Sequence, residues 1–106
     1  MYIILNKKKI EIKEPTSFWD KFKGLKFILN PIDYGILFRN KKFITTNFHC
    51  QRIDIIITDE DNRIIAIYND IGSEKYIINL KAKNTYFFPL KTAENYRIND
   101  ILKIKK

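Results

Sequence analysis

One cysteine in 106 residues excludes an internal disulfide, and a lone thiol fits a reducing compartment best. Glycine is nearly as scarce. Its three copies, Gly24, Gly35 and Gly72, stand far apart, so no glycine-rich loop is present to cradle a phosphate. His49 is the single histidine, and no His/Cys cluster completes a metal shell around it. Apolar runs stop at four or five residues, whereas crossing a bilayer takes about 20. At the N-terminus Tyr2-Ile3-Ile4-Leu5 precedes Lys7-Lys8-Lys9, the reverse of the order in a secretory leader. There is no Gly-x-Ser-x-Gly context for a nucleophilic serine, and no carboxylate pair stands out for glycoside chemistry. These absences lead to the expectation of a cytoplasmic globular domain with no cofactor, no metal and no membrane partner.

What the chain does have is isoleucine, lysine and aromatic residues. Apolar side chains make up 45% and aromatics 14%, enough for a core at this length without staples. The formal charge of +8 invites a nucleic-acid reading. Two facts weaken it. Isoleucine, lysine and asparagine supply 47 of the 106 residues, as codons rich in A and T would dictate, and arginine supplies only four. Arginine is the usual reader of phosphates and bases because of its planar fork. The charge is nonetheless uneven. Residues 1–50 carry ten basic and four acidic side chains, against ten and eight in residues 51–106. An anion-facing patch is therefore expected from the first half.

The chain is organised around Phe43 to Tyr68. Ile53-Asp54-Ile55-Ile56-Ile57-Thr58 and Ile64-Ile65-Ala66-Ile67-Tyr68 are β-branched runs separated by Asp59-Glu60-Asp61-Asn62, which reads as a β-hairpin. Both arms are apolar enough to predict a hairpin in the middle of a sheet. Tyr2–Leu5 and Lys9–Lys13 form an opening hairpin, the second arm alternating with period two until Pro15 ends it. Thr16 or Ser17 can cap a short helix through Phe18, Trp19 and Phe22, with Gly24 closing it. Further extended pieces are expected at Gly35–Phe38, Phe43–Thr46, Tyr76–Leu80, Tyr86–Phe88 and Ile101–Ile104. A loop is expected at Asn69–Ser73 and a helical turn at Thr92–Tyr96. Seven to nine short strands with one or two short helices predict a mainly β single domain over residues 1–106, an antiparallel sandwich or barrel-like sheet.

Three segments resemble a known family. Lys21-Phe22-Lys23-Gly24-Leu25 resembles an Arg-x-x-Gly-Leu-Met signature, followed by Gly35-Ile36-Leu37-Phe38 for Gly-Leu-Leu-Phe. Thr46-Asn47-Phe48-His49-Cys50-Gln51-Arg52-Ile53-Asp54-Ile55-Ile56 resembles Thr-x-x-Met-x-x-x-Ile-Asp-x-x-Phe. Pro89-Leu90-Lys91-Thr92-Ala93-Glu94 and Asn99-Asp100 resemble Leu-Glu-Leu-Pro-Ala-Gly-Thr and Gly-Asp elements. The chain is thus similar, over roughly residues 8 to 104, to the prokaryotic DUF 192 family, which implies a compact, mostly antiparallel β-structure of unassigned activity. Lysine replaces the signature arginine at Lys21 and a methionine at Lys26, His49 replaces the central methionine, Phe87 a glutamate, and Asn99 a glycine.

The residues that survive or replace those motif positions define the candidate ligand-binding set: Lys21, Gly24, Thr46, His49, Asp54 and Asp100. Asp54 lies between isoleucines, where an acid is costly to bury unless it is hydrogen-bonded or paired. It either accepts backbone N–H bonds from the preceding loop, pinning Gln51-Arg52, or anchors a polar pocket. If the backbone is extended at His49 and Cys50, their side chains are expected on opposite faces, where they cannot act on each other. A His49–Asp54 pair would raise the histidine's pKa and is the seed of a weak-enzyme reading. The Asp59–Asn62 cluster lacks the ligand pattern of a calcium loop and reads as a solvated turn. Trp19, Lys21, Lys23 and Lys26 interleave aromatics with charge, which could serve single-stranded nucleic acid or be an amphipathic helix. The expectation is a binding or accessory domain for an anionic small ligand or a protein, with the enzyme and nucleic-acid readings as alternatives.

Overall fold

A computed structural model describes residues 1–5, 7–14, 32–40, 42–45, 52–72 and 75–105. The segment expected as the Phe18–Gly24 helix lies outside them. The described residues form eight strands: β1 (Tyr2–Leu5), β2 (Lys8–Lys13), β3 (Gly35–Arg39), β4 (Phe43–Thr45), β5 (Ile53–Thr58), β6 (Ile64–Ile71), β7 (Tyr76–Ile78) and β8 (Asn84–Phe88). A 3-10 turn follows at Thr92–Asn95. Among the described residues no helix is long and apolar enough to cross a membrane.

The main sheet has the order β1-β2-β3-β8-β5-β6, and β4 and β7 form a separate two-stranded ribbon. Every neighbouring pair is antiparallel except β2 and β3, which run parallel with Ile12 opposite Gly35. The sheet is therefore mixed, where an antiparallel one was expected. Parallel neighbours need a crossover of a dozen or more residues, and the long stretch between Lys13 and Gly35 provides it.

Both outer edges of the sheet are met by one C-terminal segment. Ile64 at the start of β6 exchanges backbone bonds with it, Ile64 N–H to Asp100 and Asn99 N–H to Ile64, each 2.8 Å. A few residues later Lys105 and Tyr2 of β1 exchange a reciprocal pair, also 2.8 Å each. The segment so joins the start of the last strand to the start of the first and closes one end of the sheet, tying down both edge strands at Ile64 and Tyr2. The expected strand at Ile101–Ile104 is thus two isolated bridges, at Ile101 and Lys105, rather than a ladder.

Period-two alternation sorts the side chains into two cores. Inside the closed sheet lie Ile3, Ile10, Ile12, Leu37, Ile56, Ile64, Tyr86, Phe88, Ala93 and Leu102. The opposite face carries Ile36, Phe38, Ile53, Ile55, Ile57 and Phe87, covered by Ile44 and Ile77 from the ribbon. On β8 the switch is visible residue by residue. Tyr86 stacks on Phe88 inside, at 5.6 Å between centroids, while Phe87 meets Phe38 edge-on outside at 5.1 Å. Gly35 is forced by this packing, because a Cβ there would lie 2.8 Å from the Phe88 ring.

The β5–β6 hairpin forms as expected, but its arms differ. β5 is buried throughout between β6 and β8. β6 is the last strand of the ladder, half-buried along most of its length, and it runs on through Asn69-Asp70-Ile71, where a loop was expected. An apolar run does not distinguish a fully buried strand from one with a single covered face.

Candidate ligand-binding site

The inner row of β5 is Asp54, Ile56, Thr58, with a polar residue at each end. Opposite them on β8 stand Phe88, Tyr86 and Asn84. At the Thr58 end the Asn62 side-chain oxygen accepts from three donors: the Tyr86 hydroxyl at 2.8 Å, Asn84 Nδ2 at 3.1 Å and the Thr58 hydroxyl at 3.2 Å. Asn62 reaches inward because its backbone is left-handed (φ 58°), a conformation asparagine tolerates. Asp59 Oδ1 ties the same turn by accepting the Asp61 and Arg63 N–H groups. The expected turn is there, and its last residue is an internal plug rather than a solvated tip.

The Asp54 end is closed by the chain leaving β8. Pro89 ends the strand, Thr92 N–H bonds back to the Pro89 carbonyl at 3.1 Å, and Lys91 between them is left-handed (φ 73°). Asp54, only 1% exposed, holds this turn over the end of the closed sheet. Its Oδ2 accepts the Ala93 N–H and its Oδ1 the Asp70 N–H, each at 2.9 Å. One carboxylate so links β5, the end of β6 and the 3-10 turn. Among the described residues its donors are Asp70 and Ala93, a long-range connection that local spacing cannot reveal. Outside it, Arg52 grips Asp70 through Nε and donates from Nη2 to the Asp70 carbonyl at 2.7 Å.

Two concavities flank the Leu90-Lys91 turn. The smaller, about 100 Å³, opens beside Asp54, Asp70 and Glu94. The larger, about 480 Å³, lies between the turn and the β1–β2 hairpin, in the size range of ligand clefts. Lys8, Lys9 and Lys91 face it against one acid, Asp33. Lys9 is engaged elsewhere, 3.1 Å from Glu11 and 4.5 Å over the Tyr2 ring. Lys8 is in phase with the buried Ile10 and Ile12, so it ends an inward-facing row at the rim.

Of the expected site residues, Asp54 and Asp100 are described, and the structure does not bring them together. Asp100 Oδ2 accepts the Arg97 N–H at 2.8 Å, and its carbonyl bonds Ile64 at the start of β6. Asp54 bonds Asp70 near the end of that strand, six residues or about 20 Å away. Lys21, Gly24, Thr46 and His49, and likewise Trp19, Lys23 and Lys26, lie outside the described residues. Lys8, Lys91 and Thr92 were missed as site residues. A lysine on the apolar phase of β2 was the available signal for the first. For Lys91 it was a lysine where the resembling motif has glycine. Among the described residues no group of three or more His, Cys, Asp or Glu side chains could hold a metal.

The described residues form a small β domain with a basic groove beside the Leu90-Lys91 turn. No family model matches the chain, and no curated protein does. Two solved structures share its fold. One is a protein of unknown function from Novosphingobium aromaticivorans, 13% identical with a TM-score of 0.77 over 97% of this chain and 82% of that one. The other is a candidate transcription regulator from Sinorhizobium meliloti, also 13% identical with a TM-score of 0.77, over 96% and 88%. At this identity the likeness extends to the fold alone.

Proposed function

We propose that this chain is a small binding domain that takes an anionic group in the groove between Lys8 and Lys91. The observation that carries the reading is the strained lysine at the rim. A non-glycine residue in the left-handed region costs of order 1 kcal/mol, and such strain clusters at ligand sites. Lys91 bears it at φ 73° beside a cleft of about 480 Å³ whose lining lysines outnumber its acids. Asp54, with each oxygen taken by a backbone N–H, serves as the brace of that turn. This favours binding over a His49–Asp54 enzyme.

A cytoplasmic domain of the DUF 192 type belongs to the same proposal. The family's Leu-Pro-Ala-Gly-Thr and Gly-Asp elements put their glycines on Lys91 and Asn99. Both residues are left-handed here, at φ 73° and 77°, the conformation glycine favours, which supports the resemblance. Lys21, Thr46 and His49 remain candidates for the rest of the surface.

Titration with inorganic phosphate by calorimetry, at low and high salt, tests the reading. Lys91→Gly is expected to lose binding at least tenfold while the protein becomes no less stable, since glycine relieves the backbone. Unchanged phosphate binding in Lys91→Gly would refute the groove. Salt-sensitive binding to a single-stranded oligonucleotide with none to phosphate would favour the nucleic-acid alternative.

A further inference from the structure

We infer that the groove takes an amphipathic phosphomonoester, its phosphate held by Lys8, Lys91 and the Thr92 hydroxyl and its apolar tail laid along Leu5, Pro89 and Leu90. The inference rests on the anion-binding reading above and adds the ligand's class. Its independent support is Thr92. That residue is 5% exposed and lines the groove. Its N–H bonds Pro89 and its carbonyl accepts Asn95 Nδ2 at 3.2 Å, but its hydroxyl bonds no other described residue. Buried polar groups without a protein partner are rare and need a reason. A donor aimed at a bound anion supplies one.

The head group follows from the donors. Lysines act as point charges and, with one hydroxyl, suit a tetrahedral dianion, whereas a planar carboxylate is better matched by the fork of arginine. The tail follows from the wall. Leu90 is 43% exposed, and Leu5 and Pro89 are partly exposed, so the cleft offers apolar surface beside the charges. An inorganic anion would leave that surface wet. An alkyl chain covers it, gaining about 0.8 kcal/mol per buried methylene, or about fourfold in affinity for each.

The experiment is a calorimetric series of inorganic, ethyl, butyl and hexyl phosphate against the whole chain. The expected result is affinity rising severalfold with each added methylene. Thr92→Val should weaken every member by about tenfold, leave the dependence on chain length intact, and not lower Tm, because no protein hydrogen bond is lost. Leu90→Ser should flatten the dependence and spare inorganic phosphate. If hexyl phosphate binds no tighter than inorganic phosphate, the amphipathic ligand is wrong and the anion-binding reading stands. If neither binds, both fall. Sedimentation with phosphatidic-acid vesicles separates a lipid headgroup from a free alkyl phosphate: loss of co-sedimentation in Thr92→Val assigns the lipid source, and binding confined to the solution series assigns the free one.

Discussion

Replacing Asp54 by alanine removes the one side chain among the described residues that bonds both the end of β6 and the 3-10 turn. The Ala93 N–H it leaves behind is buried, while the Asp70 N–H is only partly so and can turn to water. A bond to a charged acceptor contributes about 1.5–3 kcal/mol, and an orphaned buried donor costs about 1–3 kcal/mol. Relief from burying the carboxylate offsets part of this. The net loss is about 3 kcal/mol, a large share of the roughly 5–15 kcal/mol that holds such a domain together. It corresponds to a Tm lower by about 12–24 °C. Asp54→Asn keeps one acceptor and should lose about 2 kcal/mol. Arg52→Ala, a few residues away, is the control. Arg52 and Asp70 are 59% and 58% exposed, so that pair contributes less than about 1 kcal/mol. Urea unfolding followed by circular dichroism gives the stabilities, and amide exchange at Ala93 reports the bond itself. A loss below 1 kcal/mol in Asp54→Ala, with Ala93 still protected, would refute the brace.

Three more consequences follow from the packing. Leu102, 1% exposed, anchors the segment that ties β1 to β6, so Leu102→Ala should cost about 2–5 kcal/mol and, by releasing the ends of β1 and β6, promote self-association visible by light scattering. Gly35→Ala would drive a methyl to within 2.8 Å of the fully buried Phe88 ring, and denaturant titration should show a loss of about 1–3 kcal/mol. Burial pushes the Tyr86 hydroxyl up to about 12 from the ordinary 10, with Arg39 lowering it and Glu14 raising it to lesser extents. Because the folded value lies above the unfolded one, its contribution is complete below pH 10 and is lost as pH rises from 10 through 12, by about 2–3 kcal/mol. Tyr86→Phe should flatten that part of the alkaline unfolding curve, after giving up about 1 kcal/mol at neutral pH for the bond to Asn62.

The strands that alternate or carry β-branched runs were legible in the sequence. Tyr2–Leu5, Gly35–Phe38, Ile53–Thr58 and Tyr86–Phe88 all fall within observed strands, because period-two burial writes itself into adjacent residues. What joins distant residues was not. The parallel β2–β3 pair, the closure through Tyr2 and Lys105, and the Asp54–Ala93 bond have partners 23, 103 and 39 positions apart in the chain. No local pattern encodes such pairings. The candidate site shows the same division. Asp54 was picked out because an acid inside an isoleucine run needs a partner, yet that reasoning cannot say which amides supply it. Asp100 was joined to it by a motif, and β6 holds the two apart. Lys91 has only a faint mark in the sequence, a lysine where the resembling motif has glycine, and its left-handed backbone angle is visible in the structure alone.

The most direct test of the groove is amide chemical-shift mapping with hexyl phosphate added to the isotopically labelled protein. If hexyl phosphate binds in the groove, the shifts gather at Lys8, Lys91 and Thr92 and disappear in Lys91→Gly. Shifts centred instead on Asp100 or the β4–β7 ribbon, with the Lys91 turn silent, would contradict it.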